Sequence, residues 1–476
     1  MRTHKGTILR EKFSLRQLSP VVRKAVLICI AFSLFFVMRH VISFEVVTEK
    51  HDSQSVGTGL AILTLAAVLW LTEALPLALT AILIPILASL TGILDVSGSF
   101  ARFAHPLIFL FLGSFGLAAA LAKQGLDRWL AMRILVIGRG NFHATALTLF
   151  IVAALLSMWI SNTATVALLL PVTLGILANI TARCDQHTAT KAAPYLLLGI
   201  AYSASVGGMA TLIGTAPNAI AAAHLNLSFT DWLAIGLPAS LVLLPTLFVL
   251  LRLLARPGKI PAIEVKPEPF TFDRQHLLTL GIFLLTICGW LFSAPLAELL
   301  GISKSFDTIV AISGVLLLAT CGLITWKDID RATDWGVLLL FGGGLTLSKI
   351  LGTTGASWYL AQQIQLFTTG WPIIFLVGAV VLFVIFLTEL SSNTASTALL
   401  LPIFAAVAID MGIPTNQLVL PLTLAASCAF MLPIATPPNA IVFATGKIQQ
   451  RDMMRIGLVL NLFFAVILTI IGRLFF

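Results

Sequence analysis

The chain has 476 residues, of which 58% are hydrophobic and only 10% charged, with a mean hydropathy of +1.02, whereas soluble domains carry about 25% charged residues. That balance excludes a water-soluble domain, and the formal charge of +9 does not indicate nucleic acid, because the positive residues sit in loops and at the ends of apolar runs rather than on one basic face. Five scattered cysteines (Cys29, Cys184, Cys288, Cys321, Cys428) without a C-x-x-C pair argue against a disulfide framework or thiolate metal site and are expected to be packing residues.

Apolar runs of about 20 residues, long enough to cross a ~30 Å hydrocarbon layer at ~1.5 Å per residue, recur along nearly the whole chain. The first, near 22–44, follows a basic segment containing Arg2, Lys5, Arg10, Lys12, Arg16, Arg23 and Lys24. It is too long for a signal peptide and no small-residue cleavage site follows, so it reads as a retained span. Further spans are predicted near 57–74, 76–94, 106–123, 192–223, 231–254, 276–297, 306–325, 335–352, 417–446 and 453–474, eleven in all. Segments 126–141 and 356–366 follow matching spans and read as amphipathic interfacial helices. Two long apolar segments, about 144–182 and 371–409, are each interrupted by a Ser-Asn-Thr triplet with some 15 to 17 mostly apolar residues on either side. Each is either two short spans or one re-entrant hairpin. The hairpin is preferred because about 17 residues is the lower limit for spanning, and irregular backbone at that depth requires protein or a wet cavity around it.

The fold class expected is therefore an all-α polytopic membrane protein with about eleven transmembrane helices plus two re-entrant hairpins. With the N-terminus cytoplasmic, 23 of the 29 Lys and Arg fall on the inner side, a strong positive-inside bias that puts the C-terminus outside. The segment 255–275, with Pro257, Pro261, Pro267 and Pro269, is the linker. It separates residues 1–56 (basic N-terminus and first span) and a first unit, 57–254, from a second unit, 276–476.

The two units repeat each other. Ser161-Asn162-Thr163-Ala164 and Pro171 recur 231 residues later as Ser392-Asn393-Thr394-Ala395 and Pro402. Gly113, Gly125 and Leu130-Ala131 recur at 230 as Gly343, Gly355 and Leu360-Ala361, and Pro217-Asn218 recurs at 221 as Pro438-Asn439. With five spans per unit the units have opposite orientation, the inverted-repeat plan of secondary transporters, whose sites lie where helices break at the midplane.

Glycine and proline in Gly214-Thr215-Ala216-Pro217-Asn218 and Ala435-Thr436-Pro437-Pro438-Asn439 predict those breaks, since proline removes a backbone donor and frees carbonyls one turn back. Ser157 and Thr388 stand four residues before Ser161 and Ser392, on the same helical face. Asn and hydroxyl side chains donate to carboxylates, and their oxygens with freed carbonyls coordinate a hard cation, for which Na⁺ is suited. With no arginine in these segments, a bound dianion must take its positive charge from cations, helix N-termini and backbone amides. A lone Ser-Asn-Thr reads as ordinary interhelical glue; the duplication argues for a site.

These stretches, together with Trp70-Leu71-Thr72-Glu73-Ala74, Ser157-Met158-Trp159-Ile160 and Leu387-Thr388-Glu389, resemble the divalent anion/sodium symporter family over essentially the whole chain. The resemblance implies a bacterial inner-membrane homodimer, each protomer with a scaffold part and a transport part that shifts like an elevator. It implies one Na⁺ site at Ser157, Ser161, Asn162 and Gly214 and another at Thr388, Ser392, Asn393 and Ala435. Substrate contacts would come from Asn162, Thr163, Asn393, Thr394, Thr436 and Pro437. The expected activity is Na⁺-coupled symport of C4 dicarboxylates such as succinate, malate or fumarate, with Na⁺-independent dicarboxylate or citrate exchange as the alternative. One departure is Ala216, where relatives commonly place a second proline.

Glu389, three residues before Ser392, is a candidate for tuning a cation site or carrying a proton, against a structural role. Glu73 lies near a predicted span, and Lys349 is expected to snorkel. Gly342-Gly343-Gly344 lacks the lysine of a phosphate loop and reads as a close-packing stretch. No His spacing suits zinc. An activated nucleophile is missing too, so an enzyme is not expected.

Overall fold

A computed structural model describes residues 19–41, 52–138, 141–258, 260, 270–302 and 305–474. The charged residues before Ser19, Lys50, Arg139, Lys304 and most of the proline-rich linker lie outside the described residues.

Among the described residues the chain is all-helical. The first unit contains α1 (Pro20–His40), α2 (Ser53–Thr72), α3 (Leu77–Leu90), the short α4 (Val96–Phe100), α5 (Pro106–Lys123), α6 (Leu126–Leu135), α7 (Phe142–Ser157), α8 (Asn162–Arg183), α9 (Gln186–Gly208), α10 (Ala216–Leu225) and α11 (Phe229–Ala255). The second contains α12 (Arg274–Leu291), α13 (Ser293–Leu299), α14 (Phe306–Thr320), α15 (Trp326–Ala332), α16 (Trp335–Thr354), α17 (Ala356–Thr368), α18 (Ile373–Thr388), α19 (Asn393–Asp410), α20 (Thr415–Ala426), α21 (Pro437–Phe443) and α22 (Gln450–Leu474). Local sequence sets many of these starts. Asp52, Asn141, Ser161 and Ser392 cap α2, α7, α8 and α19 with side-chain oxygens, and Pro20, Pro106 and Pro437 occupy first turns.

Among the described residues nine helices are long and apolar enough to cross a membrane, or ten if a bent pair is counted. The nine are not a subset of the eleven expected. The expected spans 192–223 and 417–446 are each split into two helices, and α3 and α14 end at Leu90 and Thr320, which removes four, while α8 and α19, expected as hairpin arms, are long and apolar enough to cross and add two. The bent pair is α17 and α18, which meet at 116°. A helix at that angle to its neighbour does not continue it, in keeping with the interfacial reading of 356–366, and α6 is the matching short helix in the first unit.

The units interlock through small residues. A Cβ added to Gly113 on α5 would lie 2.7 Å from the Cβ of Ala311 on α14, and one added to Gly343 on α16 would lie 2.6 Å from the Cα of Ala81 on α3. Gly113 and Gly343 are repeat partners, and so are Ala81 and Ala311. Each unit therefore presents its glycine to the other unit's alanine, which lets backbones approach where lipid offers no hydrophobic drive. This absorbs the Gly342-Gly343-Gly344 stretch as packing.

Large apolar side chains such as Leu79, Leu241, Leu285 and Phe383 are exposed, as expected where lipid is the solvent. The cysteine expectation is corrected in part: Cys428 is buried and Cys184 half-buried, but Cys29, Cys288 and Cys321 are exposed. Glu73 is exposed at the left-handed end of α2 and Lys349 is exposed on α16. Asp328 lies outside the spans, 2.7 Å from the Lys123 ammonium at the end of α5, which with the Thr325 donors holds its carboxyl down to about 2. A depressed carboxylate stabilises above its ordinary range near 3.8 and the contribution is lost as pH falls towards 2. Solvent screening keeps it small.

Candidate functional site

Each Ser-Asn-Thr triplet is a helix start. Ser161 accepts from the Ala164 amide at 3.2 Å and Ser392 from the Ala395 amide at 3.4 Å, so the serines are N-caps and Asn162-Thr163 and Asn393-Thr394 are the first residues of α8 and α19. Helix α8 continues to Arg183 and α19 to Asp410, within one residue of the segment ends expected from the sequence, 182 and 409.

The two broken helices also have one design, but the breaks sit further upstream than the prolines suggest. Regular helix is absent from Met209 to Thr215 and from Ser427 to Thr436. The prolines start the next helices: Pro217 is the second residue of α10, and Pro437 and Pro438 open α21. Proline suits a first turn because its missing N–H has no helical partner there. Ala216 begins α10 at the position where Pro437 begins α21, so the departure at Ala216 leaves the helix start in register.

Carbonyls released upstream are recaptured by the following asparagine. The Asn218 carboxamide nitrogen donates to the carbonyls of Gly208 (2.9 Å) and Thr211 (2.7 Å), and that of Asn439 donates to the carbonyls of Ala429 (2.9 Å) and Leu432 (3.1 Å). All three positions correspond at the repeat offset of 221. Both asparagines are fully buried. Asn439→Ala would strand the buried Ala429 carbonyl, at about 1–3 kcal/mol for an unsatisfied group, and leave the Leu432 carbonyl with only the Ala435 amide. The expected result is a clear fall in the thermal unfolding midpoint of the purified protein, with a conservative substitution at an exposed lipid-facing residue, Leu241→Val, as the unaffected control.

At the first predicted cation set the structure brings three of four residues together. Ser157, at the end of α7, donates from its hydroxyl to the Asn162 carboxamide oxygen. That oxygen lies against Gly208, where an added Cβ would be 2.6 Å from it, and Gly208 in turn meets Gly214 across the break. Only glycine at both positions permits this approach of two backbones. Ser161 is exposed, and its oxygen is engaged as the cap.

At the second set Thr388 is fully buried at the end of α18, and its hydroxyl donates to the Ile385 carbonyl at 3.1 Å. Ser392 caps α19, Ala435 lies buried in the break, and the Asn393 carboxamide oxygen is buried without a partner. Such an oxygen calls for a donor or a cation.

The predicted substrate residues are all at helix N-termini: Asn162 and Thr163 on α8, Asn393 and Thr394 on α19, Thr436 and Pro437 on α21. Helix α21 packs against α8 and α10 against α19, so the helix after each unit's break meets the other unit's triplet helix. A direct polar link between breaks is Thr215 to Ser427, hydroxyl to hydroxyl at 3.4 Å. Amide-rich helix starts favour anions, and hydroxyl and carboxamide oxygens favour hard cations.

Thr211, Asn461 and Tyr202, which hold the breaks in place, escape sequence reasoning, whereas Glu389 is a residue it singles out. Thr211 donates to the Met158 carbonyl at 2.6 Å, tying the first break to the first triplet. In the second unit the position equivalent to Met158 is Glu389, and it ties the second break by its side chain. The buried Glu389 carboxylate accepts from the amides of Phe430 (2.7 Å), Met431 (2.8 Å) and Leu432 (3.0 Å), and from the Asn461 carboxamide (2.7 Å). Tyr202 then donates to the Phe430 carbonyl at 2.5 Å. The structural reading of Glu389 accounts for these bonds. Its sequence signal is the pairing of Glu389 with Met158, an acid where the other unit has an apolar residue, three residues before each triplet.

Residues 53–476 match the family model described as the sodium:sulfate symporter transmembrane region. A transporter of Haemophilus influenzae is 44% identical over 93% of this chain and 95% of its own length. The sodium-dependent dicarboxylate transporter SdcS of Staphylococcus saprophyticus is 33% identical, over 87% of this chain and 84% of its own. The crystal structure of the Alcanivorax borkumensis YdaH transporter shares the fold, with a TM-score of 0.60 at 15% identity over 95% of this chain and 98% of that one. The described helices, the family model and the relatives agree: this chain is an integral membrane transporter, not an enzyme, and belongs to the sodium:sulfate symporter family, the divalent anion/sodium symporters.

Proposed function

We propose that the chain is an Na⁺-coupled symporter of C4 dicarboxylates, succinate, malate or fumarate, in the bacterial plasma membrane. The carrying observation is the duplicated pair of a triplet helix start and a broken helix, with the buried Asn393 carboxamide oxygen left unpaired beside helix N-termini that suit an anion. Ser157, Ser161, Asn162 and Gly214 would hold one Na⁺, and Thr388, Ser392, Asn393 and Ala435 the other. The dicarboxylate would lie against Asn162, Thr163, Asn393, Thr394, Thr436 and Pro437. The similarity to a sodium-dependent dicarboxylate transporter supports this reading.

The same reading makes residues 57–254 and 276–476 two inverted repeats joined by 255–275, after a first span within 1–56. Eleven spans and two hairpins follow, with the N-terminus cytoplasmic and the C-terminus outside. The protein is a homodimer whose transport part moves by an elevator shift. Inward coupling is favourable because each net positive charge moved inward gains ~2.3 kcal/mol per 100 mV.

The test is uptake of labelled succinate into proteoliposomes without internal dicarboxylate. Saturable uptake that requires an inward Na⁺ gradient is expected. Uptake that ignores Na⁺ but appears on preloading with dicarboxylate would mean exchange, and both cation assignments would fall.

A further inference from the structure

A groove of about 860 Å³ runs between α18 and α22, and no triplet or break residue lines it. One wall is α18, with Phe375, Gly378, Ala379 and Leu382; the other is α22, from Leu462 to Ile470. Thr469 is the polar side chain on its α22 wall, and it is engaged, donating to the Ala465 carbonyl at 2.6 Å. The α22 wall follows one helical stripe through Leu462, Ala465, Val466, Thr469 and Ile470, and the next position of that stripe, one turn on, is Arg473. Arg473 is exposed, and Trp371, half exposed, closes the groove at the same end.

The dimensions fit one class of ligand. From Leu462 to Ile470 the helix rises about 12 Å, and to Arg473 about 16 Å, at ~1.5 Å per residue. Half of a ~30 Å hydrocarbon layer is about 15 Å. The groove is therefore one leaflet deep, with an arginine and a tryptophan at the polar boundary where such residues anchor. An apolar cleft of one leaflet's depth that ends in a cation is complementary to a phospholipid, acyl chain below and phosphate above.

We propose that this groove is a binding site for a single phospholipid, with its acyl chain between α18 and α22 and its phosphate on the Arg473 guanidinium. Its position gives the lipid a consequence. Helix α18 ends in Thr388, next to Glu389, and α22 carries Asn461, which donates to Glu389 immediately before Leu462 in the groove. A lipid filling the wedge braces the two helices that hold the second break.

The test is native mass spectrometry of the purified full chain, released from detergent after addition of phosphatidylglycerol, phosphatidylethanolamine or the uncharged detergent dodecyl maltoside. Wild type is expected to retain one phospholipid per protomer more than Ala379→Phe, which fills the groove, and to bind phosphatidylglycerol about tenfold more tightly than Arg473→Gln. Leu241→Phe, on another lipid-facing helix, is expected to match wild type, so that a general loss of fold is distinguished from loss of the site. Equal lipid counts in wild type and Ala379→Phe would overturn the proposal. Retention unaffected by Arg473→Gln, or dodecyl maltoside held as firmly as lipid, would overturn the phosphate contact. If Ala379→Phe instead shifts the mass from dimer to monomer without changing lipid count, a second copy occupies the groove and the lipid site is wrong. None of these readings depends on which anion is transported.

Discussion

Asn393→Ala should reduce Na⁺-dependent succinate uptake by about 10- to 100-fold, because a charge-assisted contact is worth ~1.5–3 kcal/mol and ~1.4 kcal/mol is a factor of ten. The half-saturating concentrations of Na⁺ and succinate should rise together, since the carboxamide oxygen is assigned to the cation and the amide to the anion. The same change should leave the unfolding midpoint without Na⁺ almost unaltered. The Asn393 oxygen has no partner in the protein, so its removal strands nothing. What the variant should lose is the extra stability that Na⁺ confers on wild type by binding the folded state. Asn162→Ala is the informative contrast. Its oxygen accepts the Ser157 hydroxyl, which is fully buried, so the stability loss should be visible even without Na⁺, at about 1–3 kcal/mol for a stranded buried group. Wild-type Na⁺ dependence in either variant would remove the double role assigned to that asparagine.

The sequence carries the repeat because equivalent residues recur at fixed offsets. It shows that Gly113 matches Gly343 and that Asn218 matches Asn439. Offsets state equivalence, though, and not contact, so the crossing of the units was not legible: Gly113 meets Ala311 rather than a residue of its own unit, and α10 packs on α19. The same limit explains the shift of the breaks. Proline and asparagine signalled that a helix must stop near Pro217 and Pro438, but whether proline ends one helix or opens the next depends on which side the carbonyls find partners. Here the side chains of Asn218 and Asn439 reach back to the residues at the start of each break and satisfy carbonyls there, so the irregular stretch lies before the proline. Cysteine burial failed for another reason. Burial statistics describe soluble cores, and an apolar thiol such as Cys288 can face lipid at little cost. Ser161 and Ser392 carry a role that the motif alone does not show, since both hydroxyls are engaged as caps that fix the asparagine beside them.

Glu389 separates a brace from a proton carrier, and the two make opposite predictions. In Glu389→Ala the amides of Phe430, Met431 and Leu432 and the Asn461 carboxamide lose their acceptor together. With three or more buried donors stranded at about 1–3 kcal/mol each, that variant should be destabilised by at least ~3 kcal/mol and poorly recovered. Glu389→Gln is the sharper test. Its remaining oxygen can keep the bonds to Phe430, Met431 and Asn461, but its new NH₂ then faces the Leu432 amide, donor against donor. The bonds that survive also lose the ionic contribution, which roughly halves their strength. Three successive amides converging on one oxygen pair form an anion-binding concavity, and a neutral side chain cannot compensate them. A brace therefore requires Glu389→Gln to lower the unfolding midpoint and to raise the Na⁺ concentration for half-maximal uptake, because the carbonyl of Ala435 hangs from the stretch that Glu389 holds. A proton carrier would instead leave the midpoint unchanged, permit uptake near the wild-type rate at one pH, and flatten the pH profile. The measurement is a thermal melt beside an Na⁺ titration of uptake at three pH values, and an unchanged midpoint with a flattened profile would overturn the brace.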